Sequence, residues 1–376
     1  MRTRLSDPFE LENRIVKHLS QAPTSRRELA RALKVSRPTL SRALARLFDT
    51  NSIASVTGVT EDETPLRPRG RPSETLYLRE KTGYAIGINI ARNNATALIM
   101  DRAGNVLDKS SKDYCSFSDW TEPLASICQL ISDNAKLKEL DLTSLSGVGV
   151  GIPEPISPHL TNSVEQTVSK FWQCLTVTKN VVEMSGLGES RSTQPDQGDR
   201  QLYIRISGGV SCCFTVDNAT TGSPVIVGEL GHLPAAGQDL RCYCGRTGCL
   251  EQFTSVPALC SLAKVSNITE FAQKAQAGDL ETVDILQRAL AYLAQGIEYA
   301  ALLYNPKTIV LGGELIDTFP ALSKQIAAAV SPRLFHNPKI VTAKLADSDV
   351  ALGAVAAVYN ELAVRRREES IGKIYE

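Results

Sequence analysis

Apolar residues recur at helical spacing through the first fifty positions, in three short runs. Phe9, Ile15, Val16 and Leu19 make the stripe of a first helix, which Pro23 and Thr24 end. Leu29, Ala30 and Leu33 supply the buried face of a second, SRRELARAL, with Ser25 as its cap and Glu28 three residues on, as in a capping box. After the turn Lys34-Val35-Ser36, Ser36 caps a third helix with Pro38 in its first turn, where a missing N–H does no harm. Leu40, Leu44 and Leu47 face inward on it. Helix, three-residue turn, helix is the spacing of a helix-turn-helix unit. The third helix turns Arg37, Thr39, Ser41, Arg42 and Arg46 outward, groups suited to base edges and phosphates. A small helical dimerisation bundle with a solvated basic face is the competing reading.

The period then changes. Strand-like runs at 52–57 and 74–78 bracket a polar, proline-rich stretch, 58–73, that reads as a wing. Its end, Arg67-Pro68-Arg69-Gly70-Arg71-Pro72, holds Arg69 and Arg71 on a stiff backbone suited to a narrow minor groove; a solvated interdomain linker is the alternative. From Thr82 onward the pattern predicts strands at 84–90 and 95–100, a turn at 101–105, a helix at 122–138 and a strand at 147–152. Residues 190–200 are polar and read as a flexible loop. Helical patterns fill 256–303, a strand at 307–311 ends at Gly312-Gly313, and a helix, a short strand and a final helix of small residues, 351–366, follow. Strands interleaved with helices make an α/β body.

A chain of 376 residues exceeds one compact core and implies two or three domains. No apolar run has the length of a membrane span, and the first residues lack the apolar stretch of a secretory signal. Nine cysteines without an export signal predict a reducing cytoplasm. Formal net charge is zero, yet residues 1–58 hold eleven basic and five acidic side chains. A basic module on an acidic body points to a polyanion partner for the module alone.

The densest chemistry lies in HLPAAGQDLRCYCGRTGCLE, where His232, Cys242, Cys244 and Cys249 fall within 18 residues. One imidazole and three thiols are the soft ligand set of a closed tetrahedral zinc site, structural because protein fills all four corners. Gly245 and Gly248 let the backbone bend so that Cys249 and His232 reach the corners left by the Cys-x-Cys pair. Buried free cysteines are the competing reading. A disulfide fits less well, since a Cys-x-Cys pair bridges poorly.

Cys-x-Cys-Gly-x-x-Gly-Cys-x-Glu, preceded by Gly228-Glu229-Leu230-Gly231-His232, resembles the signature of the ROK family of bacterial sugar kinases and sugar-responsive repressors. Weaker likenesses are Gly147-Val148-Gly149-Val150-Gly151-Ile152-Pro153 and the run from Asn305 to Glu314. The resemblance covers residues 81 to 376. It implies an actin-like, two-lobed body with a zinc loop, its lobes divided near 190–200, behind a winged helix-turn-helix at 1–80. It also implies that Glu229, His232 and Glu251 read sugar hydroxyls, although all three would be equally at home as supports of the zinc loop.

The kinase chemistry looks eroded beside that family pattern. Where such kinases carry Asp-x-Gly-Gly-Thr-Lys on a phosphate-holding hairpin, this chain has Asn89-Ile90-Ala91-Arg92-Asn93-Asn94, so Ala91 and Arg92 crowd the cradle. The motif resembling Glu-Asn-Asp-Ala-Asn-Ala-Ala aligns best over 182–189, with Ser185 at the aspartate's place, and a serine is no general base without an activating partner. A third glycine motif is partly lost at 206–213. The resemblance thus implies a non-enzymatic, cytoplasmic DNA-binding regulator, most simply a repressor of carbohydrate genes. Its expected partners are operator DNA and a sugar or sugar-phosphate effector, with one structural zinc per chain and no membrane. A helix-turn-helix matching two half-sites further implies a homodimer or higher homo-oligomer. A zinc-containing sugar kinase with an added regulatory module is the second reading, and a regulator that has lost sugar sensing and answers to a protein partner is the third.

Overall fold

Ser25 starts the second helix as its side chains require: its hydroxyl accepts from the Glu28 N–H at 3.3 Å, and Glu28 Oε2 accepts in return from the Ser25 N–H at 3.2 Å. The computed structural model describes residues 11, 14–16, 18–19, 23–49, 53–57, 74–78, 83–91, 94–101, 104–114, 119–153, 156–193, 200–216, 225–235, 237 and 239–375. Helical residues between 11 and 19, α1 (Arg26–Ala32) and α2 (Arg37–Asp49) enclose one small core of Leu11, Ile15, Leu29, Leu40, Leu44 and Leu47. Strands β2 (Ile53–Thr57) and β3 (Glu74–Leu78) pair antiparallel, and Thr24–Ser25 adds a two-residue strand, β1, on the other side of β3, which helical periodicity did not predict. Arg26 ties this sheet to the helices: its Nε donates to Glu74 Oε2 at 2.5 Å, and its guanidinium lies over the Phe48 ring.

The body holds two five-stranded sheets. The first runs β6-β5-β4-β7-β8, built from β4 (Tyr84–Ile90), β5 (Asn94–Asp101), β6 (Val106–Asp113), β7 (Leu145–Ile152) and β8 (Leu175–Asn180). The second runs β11-β10-β9-β12-β13, from β9 (Arg200–Ile206), β10 (Val210–Val216), β11 (Val225–Gly228), β12 (Thr308–Gly312) and β13 (Lys339–Thr342). In each, an antiparallel meander is extended by parallel strands. Helices α3 (Thr121–Leu137) and α4 (Pro158–Ser169) cover the outer face of the first sheet. The second is covered by α6 (Glu251–Thr254), α7 (Val256–Leu262), α8 (Ile268–Gln276), α9 (Leu280–Tyr304), α10 (Glu314–Thr318) and α11 (Ala321–Val330).

Two helices join the lobes: α5 (Val181–Thr193), which packs on β9 and β10, and α12 (Asp349–Tyr375), which packs on β4 and β7. The sequence Gly147-Val148-Gly149-Val150-Gly151-Ile152 alternates for this reason. Val148, Val150 and Ile152 enter the outer core, while a Cβ on Gly149 would stand 2.2 Å from the Ala354 carbonyl oxygen of α12. Gly147, Gly149 and Gly151 meet Val358, Ala354 and Val350, so each two-residue step of strand matches a four-residue step of helix, about 6–7 Å in both.

The polar stretch expected to be a loop at 190–200 is helical through Thr193, and Ser190 is buried. Helix α5 carries no clear apolar period because small residues serve it instead: a Cβ on Gly186 would overlap the Cys213 sulfur. A buried polar group crosses the junction of the lobes, where Asp349 Oδ2 accepts from the Tyr203 hydroxyl at 2.7 Å and from Arg205 at 2.8 Å. Among the described residues, no helix is long and apolar enough to cross a membrane.

Candidate functional site

The third helix of the N-terminal module begins as the sequence predicts. The Ser36 hydroxyl accepts from the Thr39 N–H at 3.3 Å and lies 2.7 Å from its hydroxyl, so Thr39 is engaged in the cap and only part-exposed. Arg37, Ser41 and Arg42 are exposed, whereas Leu40, Ala43 and Leu44 are buried. The backbone of Arg46 continues that helix, while its side chain, Arg69 and Arg71 lie outside the described residues.

The cysteine loop closes on itself through its backbone. The Cys242 N–H donates to the Arg246 carbonyl, Gly245 to Cys242 and Ala235 to Gly248, while Gly245 and Gly248 adopt the positive φ that the turns demand. This folding gathers His232, Cys242, Cys244 and Cys249, whose ligand atoms all lie within 4.8 Å of one another. His232 Nδ1 is 3.7 Å from Cys242 Sγ, and Cys244 Sγ is 3.6 Å from Cys249 Sγ. Ligands bound at zinc distances stand about 3.3–3.8 Å apart, so the donor set and its spacing fit that ion. A hydrogen bond from the Arg246 backbone holds the Cys244 thiol below its ordinary range, whereas burial pushes the Cys249 thiol up to about 12. Metal uptake here must therefore release protons.

The three hydroxyl-reading candidates are differently placed. Glu251 is buried at the start of α6, and its Oε2 accepts from the Val210 N–H at 3.0 Å. His232 turns Nε2 away from the thiols, toward the Tyr243 hydroxyl at 3.2 Å. Glu229 is exposed. Desolvation of the hydroxyl first, then the nearby Glu251 carboxylate, push the Tyr243 phenol pKa up, although the ring itself is exposed. Sequence reasoning passed over Tyr243 as a spacer; its place inside Cys-x-Cys was the available signal.

The hairpin matched to a phosphate cradle is described only at its base. Ala91 donates its N–H to the Asn94 carbonyl at 2.8 Å, and the Tyr114 hydroxyl reaches the carbonyls of both residues, at 2.6 and 2.5 Å. Arg92 and Asn93 lie outside the described residues, and the buried Asn89 Oδ1 has no hydrogen-bond partner. The match of Ser185 to a catalytic aspartate needs correction. Ser185 is fully buried one turn inside α5, its hydroxyl donating to the Val181 carbonyl at 2.9 Å. The strand-to-helix junction is Asn180-Val181, where Asn180 Oδ1 accepts from the Val182 N–H. Setting Asn180 against the motif's asparagine puts Val181 at the aspartate's place, and valine has no proton to exchange.

The residues from 85 to 361 match the family profile described as "ROK family". The chain belongs to the ROK family. Residues 12–51 match a second profile, "Bacterial regulatory protein, arsR family". This ROK protein is similar to the xylose repressor of Bacillus subtilis (strain 168), 21% identical over 361 residues that cover 90% of this chain and 92% of the relative. It is also similar to the N-acetylglucosamine repressor of Escherichia coli O157:H7, 22% identical over 371 residues, 89% of this chain and 88% of that one. In structure it resembles a ROK family transcriptional regulator, a homolog of the E. coli MLC protein, with a TM-score of 0.70, 21% identity and coverage of 96% and 99%. The ROK hexokinase of Thermus thermophilus superposes with a TM-score of 0.61 and 19% identity, covering 74% of this chain and 99% of its own. The expected fold, a helix-turn-helix before an actin-like two-lobed ROK body, is the observed one.

Proposed function

We propose that the protein is a sugar-responsive, DNA-binding transcriptional repressor of carbohydrate genes, acting in the cytoplasm. Residues 1–80 are its winged helix-turn-helix and residues 81–376 its sensor. The observation that carries this reading is the joining of an exposed basic helix, bearing Arg37 and Arg42, to a ROK body. The repressor relatives align along nine-tenths of the chain, whereas the hexokinase covers 74%. Arg37, Thr39, Ser41, Arg42 and Arg46 read the major groove, and Arg69 and Arg71 the minor groove. His232, Cys242, Cys244 and Cys249 hold one structural zinc, and Glu229, His232 and Glu251 contact a sugar or sugar phosphate. Phosphotransfer is lost, because Val181 offers no base and Ala91 and Arg92 stand where the cradle's glycines would be. The chain works as a homodimer, which the apolar strand Val225–Gly228 supports. It is a sheet edge among the described residues, Ile226 on it is 53% exposed, and a strand edge is self-complementary about a twofold axis.

The test uses genomic fragments that the full chain retains. The Arg37→Ala, Arg42→Ala double variant is expected to lose them by at least about tenfold, with affinity falling steeply as salt rises. Unchanged binding would remove the DNA assignment. Adding a panel of pentoses, hexoses, N-acetylated amino sugars and their phosphates shifts that binding if the sensor reading holds, since an effector must favour one state. Glu251→Gln blunts the shift without touching DNA affinity. No shift with any sugar at millimolar concentration would leave the helix-turn-helix answering to a protein partner instead.

A further inference from the structure

We propose that the Tyr243 hydroxyl is an internal occupant of the hydroxyl-reading site, so that an incoming sugar hydroxyl must displace it. The inference rests on the effector reading above and names how that site is regulated.

His232 turns Nδ1 toward Cys242, at 3.7 Å, and Nε2 toward the Tyr243 hydroxyl, at 3.2 Å. With Nδ1 facing the thiol cluster, Nε2 is the ring nitrogen left to meet a hydroxyl. The Tyr243 hydroxyl occupies the place in front of that nitrogen, with the Glu251 carboxylate as its other polar neighbour. A sugar hydroxyl has the same inventory, one donor and a pair of acceptor sites, and would take the same place beside the same two side chains. A sugar and Tyr243 therefore compete for one position.

Burial makes the contact necessary in the sugar-free protein. Glu251 is only 7% exposed, and its Oε2 is served by the Val210 N–H. A buried carboxylate left with further unmet acceptors costs free energy, which the tyrosine hydroxyl relieves. The rest of Tyr243 is lightly held: the residue is 74% exposed, and its ring meets the His232 ring edge-on, 5.3 Å between centroids. Swinging outward gives up little apolar burial, so the hydrogen bonds alone keep it in place. Tyr243 also sits between two of the proposed metal ligands, Cys242 and Cys244.

The test measures sugar affinity of the full-length, zinc-loaded protein by calorimetry, over pentoses, hexoses, N-acetylated amino sugars and their phosphates. Tyr243→Phe keeps the ring and removes the competing hydroxyl, with unchanged metal content as the control for folding. The sugar is expected to bind the variant about tenfold more tightly or better, the worth of a hydrogen bond to a charged group. Equal affinity, or weaker affinity as expected if Tyr243 itself held the sugar, would overturn the proposal while leaving the sensor reading intact. Silence from both proteins toward every sugar would remove the sensor reading, and the proposal with it.

Discussion

Cys244 is the exposed corner of an otherwise inward-facing ligand set, and that exposure makes it the sharpest probe of the metal. An exposed cysteine changed to serine costs a metal-free protein little. Cys244→Ser is therefore expected to lose zinc by elemental analysis and to melt lower, at the temperature that chelator imposes on the wild type, with chelator having no further effect on the variant. Equal melting temperatures before chelation would remove the structural zinc. The four ligands were legible because they lie close in sequence and their chemistry is particular. Tyr243 and Tyr114 were not, because a tyrosine's role depends on where its hydroxyl arrives. For Tyr114 that place is a pair of carbonyls about twenty residues away.

Elements followed the sequence in the N-terminal module and at β4, β5 and β7. The capping box at Ser25 and the Ser36 cap sit where the residues predicted them, and β4 spans Tyr84–Ile90 as its pattern required. Strands β6, β9, β10 and β11 were not among the predicted elements, nor were helix α5 and the pair α4 and β8, whose faces use small or polar residues. The glycines of β7 show what replaces apolar periodicity in such places: a helix backbone pressed on a strand. Gly149→Ala would set a methyl group 2.2 Å from the Ala354 carbonyl oxygen, so α12 must shift. The variant is expected to lose about 1–3 kcal/mol, read as a lower denaturant midpoint. Gly208→Ala, with no atom nearby and no positive φ, serves as the control for glycine loss without crowding. A Gly149 variant no less stable than that control would mean that the sheet and α12 are not in direct contact.

At the scale of the whole molecule, a kinase-like body stands behind a DNA-binding module, and its catalysis can be tested directly. Supplied with ATP, magnesium and a panel of hexoses and amino sugars, the full chain is expected to form no sugar phosphate. Positioning and deprotonating the hydroxyl need a group that Val181 lacks, and losses within one catalytic unit leave little residual rate. Turnover near 1 per second, an ordinary enzyme rate, would restore the kinase reading. The structure changed the argument for this expectation without changing its direction. Ser185 looked like the substituted base only while 182–189 was read as an isolated string; once Asn180 ended a strand and Val181 began a helix, the register moved by four residues.

The sequence by itself determined what is written in neighbouring residues: helices with their caps, the alternation of strands, the charge of the N-terminal module and a ligand set packed into one loop. Each depends on interactions spanning a few residues, so composition and spacing suffice. Only the tertiary structure decided which residues share a position in space. The meeting of Tyr203, Arg205 and Asp349 and the seat of α12 on the β7 glycines join segments more than 140 residues apart. Tyr243 lies close to His232 in sequence, yet which way its hydroxyl turned was settled by where the fold sets the His232 ring, since the same side chain could equally have faced water. Chain proximity carries no information about such meetings; they follow from how the two sheets and the helices between them exclude volume from one another.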